Sequence, residues 1–509
     1  MNDIAKSSLI VSVLSIAGLA LGFVSTCVIA AVFGAGRQMD VFFAAITIPT
    51  FINSILCSSL SFTFIPVLAE YGATDKKDTD EIISGFLLGS LLVSFLLCLM
   101  MIGTAPLLMR KIAPGFTDSE VIQSSNLLRW LLPLIIFTVA NELMSSVYYS
   151  FRKFLLPSLV KLIIPTLTVF FVLAFHSVME TRSIVIAMLA GSIFQSCFLF
   201  IGLLRMSGVS LILRPRLNHP GIIKILKLMI PLLLGLIASR ALPFIDRYFL
   251  STLDKGSIAY VEYGFKLLSA IPPVIVSGIA IAVFPVMAKH ASLRQWDELI
   301  VLISKGIRLL FFLSIPFVVI LGPHSNKIVA LVFQRGAFTL ADSIAVGGVF
   351  GLYLLALPAM AIGTIIGQAY YVLQDTKIAA FVGVIQVVIY ILTVCLLLPW
   401  LGYLAIPASY SIYFNISLVN GILVRRKIIS SVRMYPVRSI CANLCSGGLA
   451  FAALSACIYF SSPPPILVAV LIFCSFILYF SLSRFLFGTK ESEEIIQLVT
   501  NFVPSWRRR

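Results

Sequence analysis

The chain has 509 residues, of which 60% are hydrophobic and only 11% are charged, and its mean hydropathy is +1.06. A soluble protein carries roughly 25% charged residues, so this composition excludes a soluble globular protein and predicts an all-α integral membrane protein. The net charge of +16 would suggest a nucleic-acid partner in a soluble protein. Here the cations lie mainly in loops between apolar runs, so we expect membrane lipids and no nucleic acid as partners.

Apolar runs of about the 20 residues that a helix needs to cross the hydrocarbon layer follow one another along the chain. The first begins after Lys6 and extends to about Phe33, which is too long for a cleaved signal peptide. About 14 transmembrane helices are therefore predicted, at residues 8–33, 41–69, 83–108, 128–151, 155–179, 183–204, 222–250, 257–288, 300–322, 343–373, 377–399, 402–424, 438–461 and 465–487.

The distribution of Lys and Arg between the loops predicts the orientation. An even number of spans places both termini on the same side of the membrane. If the N-terminus is cytoplasmic, the outer loops contain few cations, namely Arg37, Arg110, Lys111, Arg182, Lys255, Lys327 and Arg335. The loops on the other side and the tail at residues 507–509 contain many more, so both termini are predicted to be cytoplasmic.

The sequence also repeats itself at a constant offset. Phe116-Thr117 is echoed by Phe338-Thr339, and Tyr148-Tyr149 is echoed by Tyr370-Tyr371 at the same separation. Six spans separate the equivalent residues, so the two halves have parallel topology, which is a transporter architecture. We therefore predict two six-helix lobes at residues 1–215 and 216–430. Residues 431–509 hold two additional transmembrane helices and a basic cytoplasmic tail.

Motifs for catalysis and cofactor binding are not found in the sequence. There is no Walker loop, none of the nine cysteines forms a Cys-x-x-Cys pair, and the four histidines are far apart. We therefore expect no metal, no cofactor and no enzymatic activity.

Charged and polar residues inside the spans are the candidates for function, because an ionisable group near the bilayer centre costs about 2.5–3.5 kcal/mol on insertion scales. Arg240 and Arg247 are seven residues apart and should share a helix face. An excess of cations suits an anionic ligand such as a diphosphate. The predicted substrate-binding residues are Arg240, Arg247, Lys266, Asn53 and Lys161.

Four acids are the candidates for coupling transport to a proton or an ion: Asp40, Glu142, Asp246 and Glu262. For some of these charged residues a purely structural role is the alternative. Asp246 and Arg247 could pair locally or reach the interface, and Glu262 with Lys266 could form an i,i+4 bridge on one helix face.

Several motifs resemble the MurJ/MviN family and occur in the family's order across residues 1–430. They are Phe33-Gly34-Ala35-Gly36 with Asp40, Phe64-Ile65-Pro66-Val67-Leu68-Ala69-Glu70-Tyr71, Ala113-Pro114-Gly115-Phe116, Ile245-Asp246-Arg247, Gly256-Ser257-Ile258, Phe333-Gln334 with Gly336 and Phe338-Thr339, and Tyr371 with Leu373-Gln374-Asp375-Thr376-Lys377.

The resemblance implies the MOP flippase fold, in which two six-helix lobes form a V around a central cavity and an extra helix pair builds a lipid-tail groove. It also implies a bacterial inner-membrane protein that flips an undecaprenyl-diphosphate-linked glycan, lipid II in that family, from the cytoplasmic to the outer leaflet by alternating access. Glycan-synthesis proteins are further partners to be expected.

This sequence departs from the family at its cavity arginines. The family's Ser-Arg-x-x-Gly-Phe-x-Arg pattern in span one is here residues 18–25, without arginine, and its Arg pair in span two is Asn53-Ser54. Its Ala-Asp-Arg-Leu in span eight is Gly264-Phe265-Lys266-Leu267. The repeat offset aligns Ser25 with Arg247. Our hypothesis is that Arg240, Arg247 and Lys266 of the second lobe carry the cationic role.

The missing arginines leave the carried glycan open. An exopolysaccharide or O-antigen repeat unit competes with lipid II as the substrate. A drug or organic-cation antiporter of the same superfamily is less favoured, because spans seven and eight hold two acids against three bases. A non-transporting scaffold for glycan synthesis is the third class.

Overall fold

The structure is a computed structural model that describes residues 2–72, 76–206, 209–212, 215–373, 376–427, 437–461, 465–485 and 491. These residues are predominantly helical, and none of them lies in a strand, which confirms the all-α prediction. The motif residues 374–375 and the predicted basic tail at 507–509 lie outside the described residues.

The helices form two compact units. Unit 1 comprises residues 1–259 and 335–338. Its helices are α1 (Asn2–Phe33), α2 (Arg37–Gly72), α3 (Lys76–Ile112), α4 (Asp118–Leu131), α5 (Pro133–Ser150), α6 (Leu155–Val160), α7 (Ile163–Met179), α8 (Arg182–Leu204), α9 (Pro220–Arg240) and α10 (Leu242–Leu250), and α11 (Ser257–Ser269) begins in it.

Unit 2 comprises residues 260–334 and 339–509. After the rest of α11, its helices are α12 (Pro272–Ser292), α13 (Trp296–Pro316), a π-helix (Phe317–Leu321), α14 (Ser325–Phe333), α15 (Leu340–Leu354), α16 (Leu357–Val372), α17 (Thr376–Leu401), a 3-10 turn (Gly402–Leu404), α18 (Ala405–Ser417), α19 (Val419–Lys427), α20 (Val437–Ser461) and α21 (Pro465–Phe485).

Within the described residues, 11 helical stretches are long and apolar enough to cross a membrane, and two shorter apolar helices follow at Cys441–Cys457 and Val470–Phe485. One stretch, Phe381–Val424, has 44 residues. It contains most of α17 and all of α18, which pack against each other. Between them lies Gly402 at φ +55°, a conformation that glycine adopts without a Cβ clash. The membrane-spanning class is confirmed, and the count of 14 spans stays a prediction.

The sequence repeat recurs in the local structure of two helix starts. The N–H of Thr117, just before α4, donates to Oε2 of Glu120 at 2.8 Å. The N–H of Thr339, just before α15, donates to Oδ2 of Asp342, also at 2.8 Å. An acid three residues after a Thr N-cap forms a capping box, which satisfies backbone N–H groups at the helix start. The repeated Phe-Thr pairs therefore mark equivalent helix starts in the two halves.

Polar contacts at one end of unit 1 join the start of α9 to α2 and α3. Lys224 Nζ lies 2.6 Å from Oε2 of Glu70 on α2. His219 Nε2 lies 3.3 Å from Oδ1 of Asp78 on α3. Helices α9 and α10, which form predicted span seven, therefore belong to unit 1, because their contacts are with helices of that unit. The lobe boundary predicted at residue 215 comes from the sequence repeat and stays a prediction.

Candidate substrate site

Predicted span seven is not one continuous helix. Helix α9 ends at Arg240 and α10 begins at Leu242, with Pro243 in its first turn. A proline lacks the backbone N–H and its ring clashes with the carbonyl four residues earlier, which kinks or breaks a helix, and α9 ends just before this position. Arg240 is exposed at this break, where the negative end of the α9 dipole favours a cation. Among the described residues, its side chain makes no hydrogen bond or ion pair.

Arg247 lies on α10 in a different environment. Its side chain is only 4% exposed, and its Nε donates to Oγ1 of Thr47 on α2 at 3.2 Å. The structure divides the helix that was expected to carry both arginines, and it leaves Arg240 exposed and Arg247 buried. Their shared face stays a prediction. Asp246, the neighbour of Arg247, is half-buried.

Asp40 is fully buried near the start of α2 and accepts two backbone hydrogen bonds. Its Oδ2 accepts from the N–H of Gly256 at 2.6 Å, and its Oδ1 accepts from the N–H of Ala259 at 2.8 Å. These N–H groups lie at the start of α11, where the helix itself offers no acceptors for them. The carboxylate of Asp40 therefore caps α11, and Arg247 lies close enough to interact with it electrostatically.

Arg37 connects Asp40 to the start of α4 through contacts that the sequence analysis missed. Its Nε and Nη2 donate to the two carboxylate oxygens of Glu120 at 2.7 and 2.9 Å, and its Nη1 lies 3.6 Å from Oδ2 of Asp40. The guanidinium also stacks over the ring of Phe116, 4.6 Å from its centroid. The one signal in the sequence was the Thr117-x-x-Glu120 capping pattern, which places an acid at the start of α4 but does not name its partner.

Lys266 and Glu262 lie on α11 in unit 2. Nζ of Lys266 is 3.8 Å from Oε1 of Glu262, and the two side chains are 49% and 19% exposed. Glu262 and Lys266 thus form the i,i+4 ion pair that the sequence analysis gave as the structural alternative to ligand binding. The pair leaves less net positive charge for an anionic ligand than Lys266 alone would provide.

Lys161 is exposed at the end of α6, and its Nζ donates to the hydroxyl of Tyr149 at 3.4 Å. An apolar groove starts at the next residue and is lined by Leu162, Ile163, Thr166, Leu167, Phe194 and Phe198. Lys161 therefore sits between a polar tyrosine hydroxyl and an apolar surface.

Asn53 and Glu142 lie on α2 and α5, which pack together. Both are half-buried, and Oδ1 of Asn53 is buried without a hydrogen-bond partner among the described residues. Glu142 interacts electrostatically with Cys57, one helical turn after Asn53. Asn53 and Glu142 therefore lie on two helices of unit 1 that pack against each other.

Two of the positions at which the resemblance implies arginines, Ser25 and Ser54, are neutral and bond to their own helices. Oγ of Ser25 donates to the carbonyl of Gly22 at 2.8 Å, and Oγ of Ser54 donates to the carbonyl of Phe51 at 2.8 Å. A serine that bonds to its own helix in this way offers little to a ligand. The departure from the family in spans one and two is therefore a loss of charge at both sites.

The sequence matches the family model described as "Lipid II flippase MurJ" over residues 29–479. The chain belongs to the MurJ family. A probable lipid II flippase MurJ of Buchnera aphidicola subsp. Acyrthosiphon pisum is 29% identical, with 85% of this chain and 86% of that protein covered. A probable lipid II flippase MurJ of Vibrio cholerae is 28% identical, with 81% and 82% covered.

Solved structures of MurJ and of a related transporter family have the same fold. A lipid II flippase MurJ in an inward closed conformation matches with a TM-score of 0.78 at 20% identity, covering 94% of this chain and 99% of that chain. An inward-facing multidrug resistance MATE transporter of the MOP superfamily matches with a TM-score of 0.71 at 15% identity, covering 81% and 94%. The predicted MOP fold is thus confirmed.

Membership of the MurJ family makes this chain a multi-pass protein of the bacterial inner membrane and places it among transporters. Of the predicted site residues, unit 1 brings Arg247 and Asp40 close together, and unit 2 pairs Lys266 with Glu262. Arg240 and Lys161 are each exposed at the end of a helix. Asp246 is next to Arg247, and Asn53 and Glu142 share the contact between α2 and α5.

Proposed function

We propose that this MurJ-family protein translocates an undecaprenyl-diphosphate-linked glycan of the lipid II class from the cytoplasmic to the outer leaflet by alternating access. The observation that carries the proposal is the family match over residues 29–479. The named relatives match 85% and 81% of this chain. With an anionic diphosphate as the ligand, the cations within the spans are the side chains of interest.

Arg240 is the residue that we propose binds the diphosphate. It lies about two-thirds of the way along the stretch Pro220–Leu250, which places it within the membrane-crossing part of a helix that rises about 1.5 Å per residue. Its guanidinium is exposed at a helix break. A guanidinium in this position can donate two parallel hydrogen bonds to phosphate oxygens, whereas a lysine acts as a point charge.

Arg247 has a supporting role in this proposal. Its buried position against Thr47 and near Asp40 favours it as a residue that holds the start of α11 in place. Lys266 is half exposed beside Glu262, so it would contact the ligand only with the acid close by. These placements support a diphosphate contact centred on Arg240 more than a cluster of three cations.

A second substrate is favoured by one specific observation. Ser25 and Ser54 bond to their own helices where the resemblance implies arginines that hold lipid II. A different glycan on the same carrier, such as an exopolysaccharide or O-antigen repeat unit, is therefore the alternative substrate. It would share the diphosphate contact and differ in the sugar.

The test is complementation of bacterial cells depleted of their own lipid II flippase. We expect the protein to restore growth, with membrane expression checked for every strain. Failure of a well-expressed protein to restore growth would contradict lipid II as the substrate. Proteoliposomes that contain lipid II, or an undecaprenyl diphosphate carrying a peptide-free glycan, then separate the alternatives. A scaffold would move neither lipid.

The coupling ion is also a proposal. Glu142, Asp246 and Glu262 are half-buried and remain the acids that we propose for coupling, whereas the carboxylate of Asp40 already accepts two backbone hydrogen bonds. Dissipating the membrane potential in proteoliposomes should slow turnover if net charge moves with the substrate. Equal turnover with and without the potential would contradict electrogenic coupling.

A further inference from the structure

Helix α13 in unit 2 is interrupted where its counterpart in the first half is continuous. Helix α3 is one helix over Lys76–Ile112, whereas the equivalent stretch of the second half consists of α13, a π-helix at Phe317–Leu321 and α14. The position equivalent to Ser94 in α3 is Pro316. A π-helix is rare and often marks a functional position. We call residues 316–324 the interrupted segment.

Pro316 leaves one backbone carbonyl without its helical partner. In a regular α-helix the carbonyl of Phe312 would accept from the N–H of residue 316, which a proline does not have. The hydroxyl of Tyr479 on α21 donates to this carbonyl at 2.8 Å, and both side chains are fully buried. The C-terminal helix pair therefore supplies the hydrogen bond that the proline removes.

The far end of the interrupted segment contacts the same helix pair. His324 follows the π-helix, and its Nδ1 lies 3.2 Å from the carbonyl of Ile320. Its ring packs edge-on against that of Phe451 on α20, with 5.6 Å between the centroids. The hydrogen bond holds the ring in a fixed orientation, and the aromatic contact ties it to α20.

Helix α20 approaches the interrupted segment closely at a glycine. A Cβ added to Gly447 would lie 3.2 Å from a side-chain carbon of Ile315 and 3.4 Å from Cβ of Val319. The adjacent Gly448 has nothing within 4 Å of such an atom. Gly447 is therefore the position at which the absence of a side chain allows the contact.

We propose that the helix pair α20–α21 is a brace that holds the interrupted segment of α13 in one geometry, with Tyr479 as the positioning residue. The hydroxyl of Tyr479 replaces the N–H that Pro316 lacks. The absence of a side chain at Gly447 lets α20 pack closely against Ile315 and Val319. An apolar cluster around Phe312, Ala450 and Leu454 completes it. The brace does not depend on which lipid-linked glycan is carried.

A double-mutant cycle tests the brace. Tyr479→Phe keeps the ring but leaves the Phe312 carbonyl buried without a donor, so the thermal midpoint of the purified protein should fall by about 2–4 °C. In a Pro316→Ala background the alanine N–H can bond to that carbonyl, so Tyr479→Phe should change the midpoint by less than about 1 °C. Equal falls in both backgrounds, or no fall in the first, would overturn the role of Tyr479.

A second pair of variants tests the brace without Pro316. Gly447→Leu should displace α20, lower the midpoint and slow complementation at equal membrane expression, and the matched control Gly448→Leu should leave both unchanged. Because α21 packs on α20, displacing α20 should also withdraw the Tyr479 hydroxyl, so Tyr479→Phe should have little further effect in the Gly447→Leu protein. Equal midpoints for the two leucine variants, or a full additional loss from Tyr479→Phe, would overturn the brace.

Discussion

Two of the charged regions of unit 1 differ in whether their charges are bonded within the protein. Around Asp40 the charged side chains contact one another, backbone N–H groups and a hydroxyl, and they are largely buried. At the α9–α10 break, Arg240 is exposed and no described residue bonds to its side chain. A charge whose hydrogen bonds are already made contributes to folding, whereas an exposed one can bind a ligand.

The comparison predicts that changes around Asp40 act first on stability, and that a change at Arg240 acts on transport. Measuring thermal stability and flipping on the same variants separates the two.

Asp40→Ala should have the largest effect. It removes the acceptor for Gly256 and Ala259 and deprives Arg37 of a nearby carboxylate, so the loss should be about 3 kcal/mol of stability, as for other broken buried pairs. Thermal unfolding in detergent measures it. Asp254→Ala, which removes an exposed acid from the loop before α11, is the matched control, and equal midpoints for the two variants would refute the capping role.

Arg247→Ala should lower stability by about 2 kcal/mol, because hydrogen bonds that involve a charged group contribute roughly 1.5–3 kcal/mol. The change removes the buried donor to Thr47. Arg247→Lys keeps the charge and should recover part of the loss. If Arg247→Ala proved as stable as the unmodified protein, Arg247 would not belong to the buried cluster.

Arg240→Ala should leave the thermal midpoint unchanged and slow flipping about tenfold, which corresponds to about 1.4 kcal/mol and is typical of one charge-assisted contact. Lys227→Ala, which removes an exposed cation from the same helix, is the control for net charge. Wild-type flipping by Arg240→Ala would contradict its role as the diphosphate ligand. A large drop in stability would show that Arg240 contributes to folding rather than to ligand binding.

The Lys266–Glu262 pair should show the smallest effect. Lys266 is 49% exposed, so solvent screens the pair and a double-mutant cycle should give a coupling energy of only about 0.3–0.5 kcal/mol. The cycle compares Lys266→Ala, Glu262→Ala and the double variant by thermal unfolding. A coupling energy several times larger than this would show that the pair is more enclosed than its exposed fraction indicates.

Local sequence patterns account for several features of the structure. The capping pattern of Thr117 and Glu120 lies at the start of α4, and its repeat lies at the start of α15. The pairing of Glu262 with Lys266 follows from their spacing on one helix. These features involve residues within four positions of each other, where helix geometry alone sets the distance.

Other expectations failed or could not be formed. The single helix expected through Arg240 and Arg247 is divided at Ala241, because Pro243 in the first turn of α10 favours a helix end there. Asp40 caps α11 by bonding to Gly256 and Ala259, which follow it by 216 and 219 positions in the chain. The hydrogen bond from Tyr479 to Phe312 joins residues that are 167 positions apart. A single sequence has no signal that pairs such residues.

The sequence alone determined the class of this protein, because hydropathy sums over each helix and does not depend on neighbours. Its motifs also indicated the family. Only the tertiary structure decided which charges are buried and bonded and which remain exposed, since that depends on contacts between helices distant in the chain. For this reason Asp40 and Arg240, both charged residues of apolar helices, differ in the roles that we assign to them.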